Sequence, residues 1–202
     1  MNKNRIDALT DGIIAIIITI MVLEMKTPHE ASWKALAAML PVFVSYVSSY
    51  ISIGIYWGNH HHIMHTLPLV NSKIIWANFT LLFFLSLVPF TTKWMGETHF
   101  DKIPVFLYAL NFVFTGAAYY ILQQTIIASW QHETSLMTAL KKQGKRGRIT
   151  GAIYFVAMLF ALFIPQISAV CFLVINIVWL IPDRNIEKAL LVKVKHNKQQ
   201  HD

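Results

Sequence analysis

The sequence is poor in charge, in acidic residues and in cysteine. Only 13% of its 202 residues are Asp, Glu, Lys or Arg, and only 10 are acidic. A soluble domain carries about twice that charged fraction, so an ordinary water-facing fold is excluded. A single cysteine, Cys171, rules out an intrachain disulfide; set in an apolar run, it reads as an inert buried thiol. The short alternating segments of a membrane β-barrel are missing. No P-loop or Rossmann fingerprint appears, nor any Ser/His/Asp or Cys/His catalytic arrangement, so the chain reads as no enzyme. The first apolar segment lacks a small-residue cleavage site and is followed by Glu24-Met25-Lys26, so it is not expected to be a removable signal.

What is present is apolar mass in long runs. Hydrophobic residues make up 55% of the chain, and the mean hydropathy is +0.50. The runs are long enough for a bilayer, which predicts an all-α polytopic membrane protein. Six spans are expected, at about 6–25, 34–58, 73–93, 104–130, 149–164 and 166–182. Pro104 suits a first helical turn, and Pro165 marks a tight turn between the last two spans. The unit is read as one six-helix domain over 1–182, followed by a basic tail over 183–202 in which EKALLVKVKH has the makings of a short amphipathic helix. The segment KKQGKRGR, 141–148, is expected to be a loop joining spans four and five, held near anionic headgroups.

Net charge is +7, but its distribution speaks for a lipid bilayer and against nucleic acid. With the N-terminus inside, 13 of the 17 basic residues fall on the inner side, leaving Lys26, Lys34, Lys93 and Lys102 outside. Both termini are therefore expected in the cytoplasm. Trp33, Trp57, Trp94, Trp130 and Trp179 fall near span ends, as interfacial tryptophans do.

The first span is the unusual one. Arg5, Asp7 and Asp11 crowd its start and Glu24 closes it, with twelve uncharged residues between the last two. At a rise of about 1.5 Å each these cover about 18 Å, well short of a hydrocarbon core of about 30 Å. A helix facing lipid could not bring both carboxylates to water, so this one belongs at the centre of an assembly. Gly12, Ile16, Thr19 and Leu23 share one helical stripe. Around an axis shared by several subunits that stripe would form aliphatic constrictions and a ring of hydroxyls, with Glu24 concentrating cations at the outer mouth. Ordinary helix packing, with Thr19 bonded back to Ala15 or Ile16, is the other reading of the same stripe.

Near the end of the second span lies YWGNHHHIMH, 56–65. His61 and His65 share a helix face, but no acid or cysteine nearby completes a tetrahedral metal site. His60, His61 and Trp57 sit on the same side as Asp11 and are its candidate partners. A proton-coupled or metal-ion transporter using Asp11 and the histidines of 60–65 is the rival reading.

The opening stretch, with Arg5, Leu9, Thr10 and Asp11 at the spacing Arg-x3-Phe-Ser/Thr-Asp, resembles the signature of the transmembrane protein 175 family, the lysosomal potassium channel and its prokaryotic relatives. Leu9 stands where the family has phenylalanine. GIIAIIITIMVLEM, YWGNHHH (56–62), Trp76-Ala-Asn78 and Leu87-Val-Pro89-Phe90 are also family-like. The resemblance implies a potassium-selective channel without the TVGYG filter, which this sequence also lacks. It implies a pore lined by first helices, Ile16 forming the constriction, Thr19 acting in selectivity and Leu23 one turn beyond. It further implies a network behind the pore from the motif residues, Trp57 and His60 or His61. A chain with one six-span unit is expected to form a homotetramer in the plasma membrane, with no cofactor besides the permeant potassium ion.

Overall fold

The computed structural model describes residues 3–67, 69–130 and 135–180; the basic tail 183–202 and its amphipathic segment lie outside them. Helices account for the regular structure of the described residues: α1 (Lys3–Leu23), α2 (Trp33–Ala38), α3 (Leu40–His65), α4 (Ser72–Ser86), α5 (Val88–Glu97), α6 (Lys102–Ile127), α7 (Ser135–Ala161) and α8 (Pro165–Leu180). Taking α4 and α5 together, four spans are long and apolar enough to cross a membrane: Lys3–Leu23, Leu40–His65, Ser72–Glu97 and Lys102–Ile127. The apolar half of α7 and the shorter α8 lie where the fifth and sixth spans are expected, but neither is among the spans long and apolar enough to cross a membrane.

Local chemistry sets the breaks. Ser32 caps α2 by accepting the Ala35 N–H at 3.1 Å. The chain re-enters helix at α3 with Pro41 in the first turn, where its missing N–H costs nothing. Asn71 caps α4 through the Ile74 N–H at 2.9 Å. The third span is interrupted at Leu87, because Pro89 removes a donor and its ring crowds the carbonyl one turn back. Pro165 begins α8, so the expected turn lies just before it, at 162–164.

One expected loop is not a loop. Residues 141–148 lie inside α7, which is helical from Ser135. Lys, Arg and Gln have long unbranched side chains that lose little freedom in a helix, and no proline intervenes. Gly144 is there for contact: a Cβ at that position would stand 2.6 Å from the Gln123 Oε1 of α6.

The outer helices close around a four-membered aromatic cluster. Ring centroids lie 4.8 Å apart for Tyr108–Phe112, 5.4 Å for Phe112–Tyr154, 5.5 Å for Tyr154–Phe172 and 5.0 Å for Tyr108–Phe172. All four are buried and tie α6, α7 and α8 together. The buried serines of α3 dock it to its neighbours. Ser52 donates to Asn176 Oδ1 at 2.8 Å, and Asn176 Nδ2 donates to the Ser48 carbonyl at 2.9 Å. Ser49 lies 2.7 Å from the Thr92 hydroxyl and 3.1 Å from that of Tyr108. Small residues and interhelical hydrogen bonds replace the hydrophobic drive that lipid does not supply.

Candidate functional site: the first helix and its collar

α1 has two faces. Ile6, Thr10, Ile14, Ile17 and Met21 are buried, against α3, α4 and α5. The opposite side carries Gly12, Ile16, Thr19 and Leu23, all exposed within the single chain, Ile16 at 59% and Leu23 at 76%. The exposed face extends N-terminal to Gly12. Arg5 and Leu9 are exposed too, on a broad open face that also holds Ala8, Asp11, Ala15, Ile20 and Val22; within it, positions 5, 9, 12, 16, 19 and 23 follow alternating steps of four and three. That 3.5-residue repeat is the one helices use when they pack against copies of themselves.

Within the stripe, the Thr19 hydroxyl donates to the Ala15 carbonyl at 2.8 Å. Its hydrogen is thereby turned to the helix, leaving the oxygen lone pairs facing outward. At the C-terminal end of α1, Glu24 is paired with Lys93 of α5, and Lys26 lies 3.5 Å from Glu97. The negative charge expected at this mouth is therefore offset by a lysine. A cleft of about 450 Å³ runs along the C-terminal half of α1, lined by Ile13, Ile20, Phe90 and Lys93 among others.

The N-terminal half of α1 is held by a collar of polar side chains. The Trp57 indole N–H donates to Asp11 Oδ1 at 2.9 Å. The Asn78 amide donates to the Thr10 hydroxyl oxygen at 3.0 Å, and Asn78 Oδ1 lies 2.8 Å from His60 Nε2. Because that amide oxygen can only accept, His60 carries its proton on Nε2. Thr10, Asn78 and His60 are all buried, so every member of this chain is paired where an orphan would be costly. His61 stacks on Trp57 with centroids 5.8 Å apart, and its Nε2 lies 3.1 Å from that of His65.

Of the motif residues, Thr10 and Asp11 are thus joined to α3 and α4. Of the two histidines left open by the sequence, His60 enters the Thr10 chain through Asn78 and His61 supports the tryptophan. Asp11 is exposed within the single chain. Arg5 and Leu9 are not brought to the collar, because they lie on the exposed stripe, and Arg5 makes no ion pair or hydrogen bond among the described residues. Asn78 joins the collar as a member beyond those expected from the sequence. Its signal was an amide inside an otherwise apolar helix, which needs a partner. No group of three or more His, Cys, Asp or Glu side chains converges among the described residues.

The chain is similar to known proteins. The family described as endosomal/lysosomal potassium channel TMEM175 matches over residues 5–89, which takes in α1, the collar and the α4–α5 break. A protein named as a potassium channel from Chryseobacterium sp. (strain P1-3) is 42% identical over 190 residues, covering 94% of this chain and 98% of its own length. Another so named, from Streptomyces collinus, is 34% identical over 102 residues, 48% of this chain and 50% of its own. The crystal structure of a lysosomal potassium-selective channel TMEM175 homolog from Chamaesiphon minutus has the same fold, with a TM-score of 0.80 at 23% identity over 91% of this chain and 97% of that one. The chain is a membrane protein and belongs to the TMEM175 family.

Proposed function

We propose that the chain is one subunit of a homotetrameric, potassium-permeable channel of the plasma membrane, with both termini in the cytoplasm and the α1 helices around the conduction axis. The observation that carries this reading is the division of α1 into a packed face and an exposed stripe with a 3.5-residue repeat. A membrane helix that turns Arg5, Gly12 and Thr19 outward from its own subunit is poorly suited to lipid and well suited to a shared aqueous axis. Its nearly full-length relative is named as a potassium channel.

In this arrangement Ile16 and Leu23 form apolar constrictions that open and close by wetting. Thr19 sits between them with its lone pairs turned to the axis, where a partly dehydrated cation needs oxygen. The collar of Trp57, Asn78 and His60 acts from behind, holding α1 in register. Conduction is passive, needs no cofactor and involves no chemical step. A proton-coupled or metal-ion transporter would instead need Asp11 and the histidines free to exchange a substrate, and two of these groups are already engaged by Trp57 and Asn78.

The deciding experiment is flux from proteoliposomes carrying purified protein of known oligomeric mass. Potassium efflux exceeding sodium efflux, independent of an imposed proton gradient, is expected. Flux that runs only with a proton gradient, or none from an intact tetramer, overturns the reading.

A further inference from the structure

Away from α1, a second cavity lies between α3, α6, α7 and α8. Its volume is about 280 Å³, close to the lower end of small-molecule pockets at about 300 Å³. Its composition changes along its length. One end is aromatic, walled by Tyr56, Phe112 and Tyr154. The other end lies against the basic first half of α7 and is polar, with Gln123, Gln143 and Arg148.

Two polar atoms in the wall have no partner. Gln123 is 1% exposed, and while its amide donates to Gln143 Oε1 at 3.0 Å, its own Oε1 accepts no hydrogen bond. The Tyr119 hydroxyl is likewise buried and unpaired. A third group is available at the edge: the Arg148 guanidinium rests over the Tyr120 ring at 5.8 Å with no carboxylate beside it among the described residues. The floor is kept open by absence of side chains. A Cβ added at Gly147 or Gly151 meets no atom within 4 Å, so these glycines are not demanded by helix contact.

We propose that this cavity binds a single-chain amphiphile whose head bears both a hydroxyl donor and an acidic group, of the monoacyl glycerophosphate class. The hydroxyl fits the acceptor Gln123 Oε1, which a bare carboxylate or phosphate would not satisfy. The acid fits Arg148, a planar donor suited to phosphate, with the Tyr119 hydroxyl as a further donor. The chain lies along the aromatic end, and a cavity of this size takes one chain. The polar end faces the basic side of the protein, so the ligand has the orientation of an inner-leaflet lipid. The site uses no α1 residue and does not depend on the ion that the pore conducts.

The test is equilibrium binding to the full-length protein in zwitterionic nanodiscs, with three probes of equal chain length. These are monolauroyl glycerophosphate, dodecyl phosphate (no hydroxyl) and monolauroyl glycerol (no acid). The first should bind tightest and saturably. Gly151→Leu fills the open floor and should weaken it by about tenfold or more, while ligand-free thermal stability holds or rises because leucine favours a helix interior over glycine. Arg148→Gln should remove the preference for monolauroyl glycerophosphate over monolauroyl glycerol, and Gln123→Met the preference over dodecyl phosphate. If the two unpaired atoms are served only by water, no probe saturates. That result, equal binding of all three probes, or a Gly151→Leu protein that binds as the parent does, overturns the assignment.

Discussion

The indole of Trp57 donates its N–H to the carboxylate of Asp11 at 2.9 Å, joining α3 to α1 about two turns inside the helix start. A hydrogen bond to a charged acceptor contributes about 1.5–3 kcal/mol, more than a neutral one. Trp57→Phe keeps the ring beside His61 and removes only the donor. It should lower the stability of the solubilised oligomer by about 1–3 kcal/mol. Asp11→Asn, which keeps an accepting oxygen, should cost less. Thermal unfolding of both variants checks this, and a Trp57→Phe protein as stable as the parent would remove the bond from any structural role.

The chain Thr10–Asn78–His60 predicts coupling. Asn78→Leu strands a buried hydroxyl and a buried imidazole N–H at once, at about 1–3 kcal/mol for each unsatisfied group. Thr10→Val alone strands only the Asn78 amide. The double variant should therefore be less destabilised than the two single variants added together, by about 0.5–2 kcal/mol. Additive losses in a double-mutant cycle would mean that the two side chains do not act through each other.

Gly96 predicts a backbone clash. A Cβ there would stand 2.5 Å from Ser45 Oγ and 2.8 Å from the Cα of Val42, where α5 crosses α3. Overpacking of this kind costs about 1–3 kcal/mol. Gly96→Ala should destabilise by that amount, and Ser45→Ala should not rescue it, because the Val42 backbone remains. Full rescue in the double variant would place the whole clash on the serine hydroxyl.

The sequence was most informative where polarity sat in apolar surroundings. Asp11, Thr19 and the histidine run each stood out for that reason, and the stripe Gly12–Ile16–Thr19–Leu23 followed from helical period alone. The spans were legible for the same cause, since a bilayer demands long apolar runs. What escaped was pairing at a distance. Nothing in local spacing selects Asn78 as the bridge between Thr10 and His60, because the three sit on three different helices. The basic stretch 141–148 is helix and not loop because a run of charge need not be a boundary: Lys and Arg are good helix formers. The ion pair of Glu24 with Lys93 joins residues 69 apart in sequence, a relation that composition cannot carry.

The last prediction concerns the oxygen of Thr19 and the bulk of Ile16. With the Thr19 hydrogen committed to the Ala15 carbonyl, what the side chain offers outward is an acceptor. Thr19→Val keeps the branched shape and removes that acceptor, so it separates coordination from size in a way that Thr19→Ala does not. If the hydroxyl ring helps dehydrate potassium, Thr19→Val should lower the potassium-to-sodium flux ratio by about tenfold, the equivalent of about 1.4 kcal/mol between the two ions, or bring it to unity. Thr19→Ser, which keeps the oxygen, should retain most of the ratio. Ile16→Asn acts on a different property, since a polar ring at a narrow point stays wetted. It should raise total flux while leaving less discrimination. Single-channel recording in planar bilayers distinguishes the two effects, reading the first as a shifted reversal potential and the second as longer or leakier openings. A Thr19→Val protein with unchanged reversal potential would mean that threonine is there to pack, and that the selecting oxygen lies elsewhere.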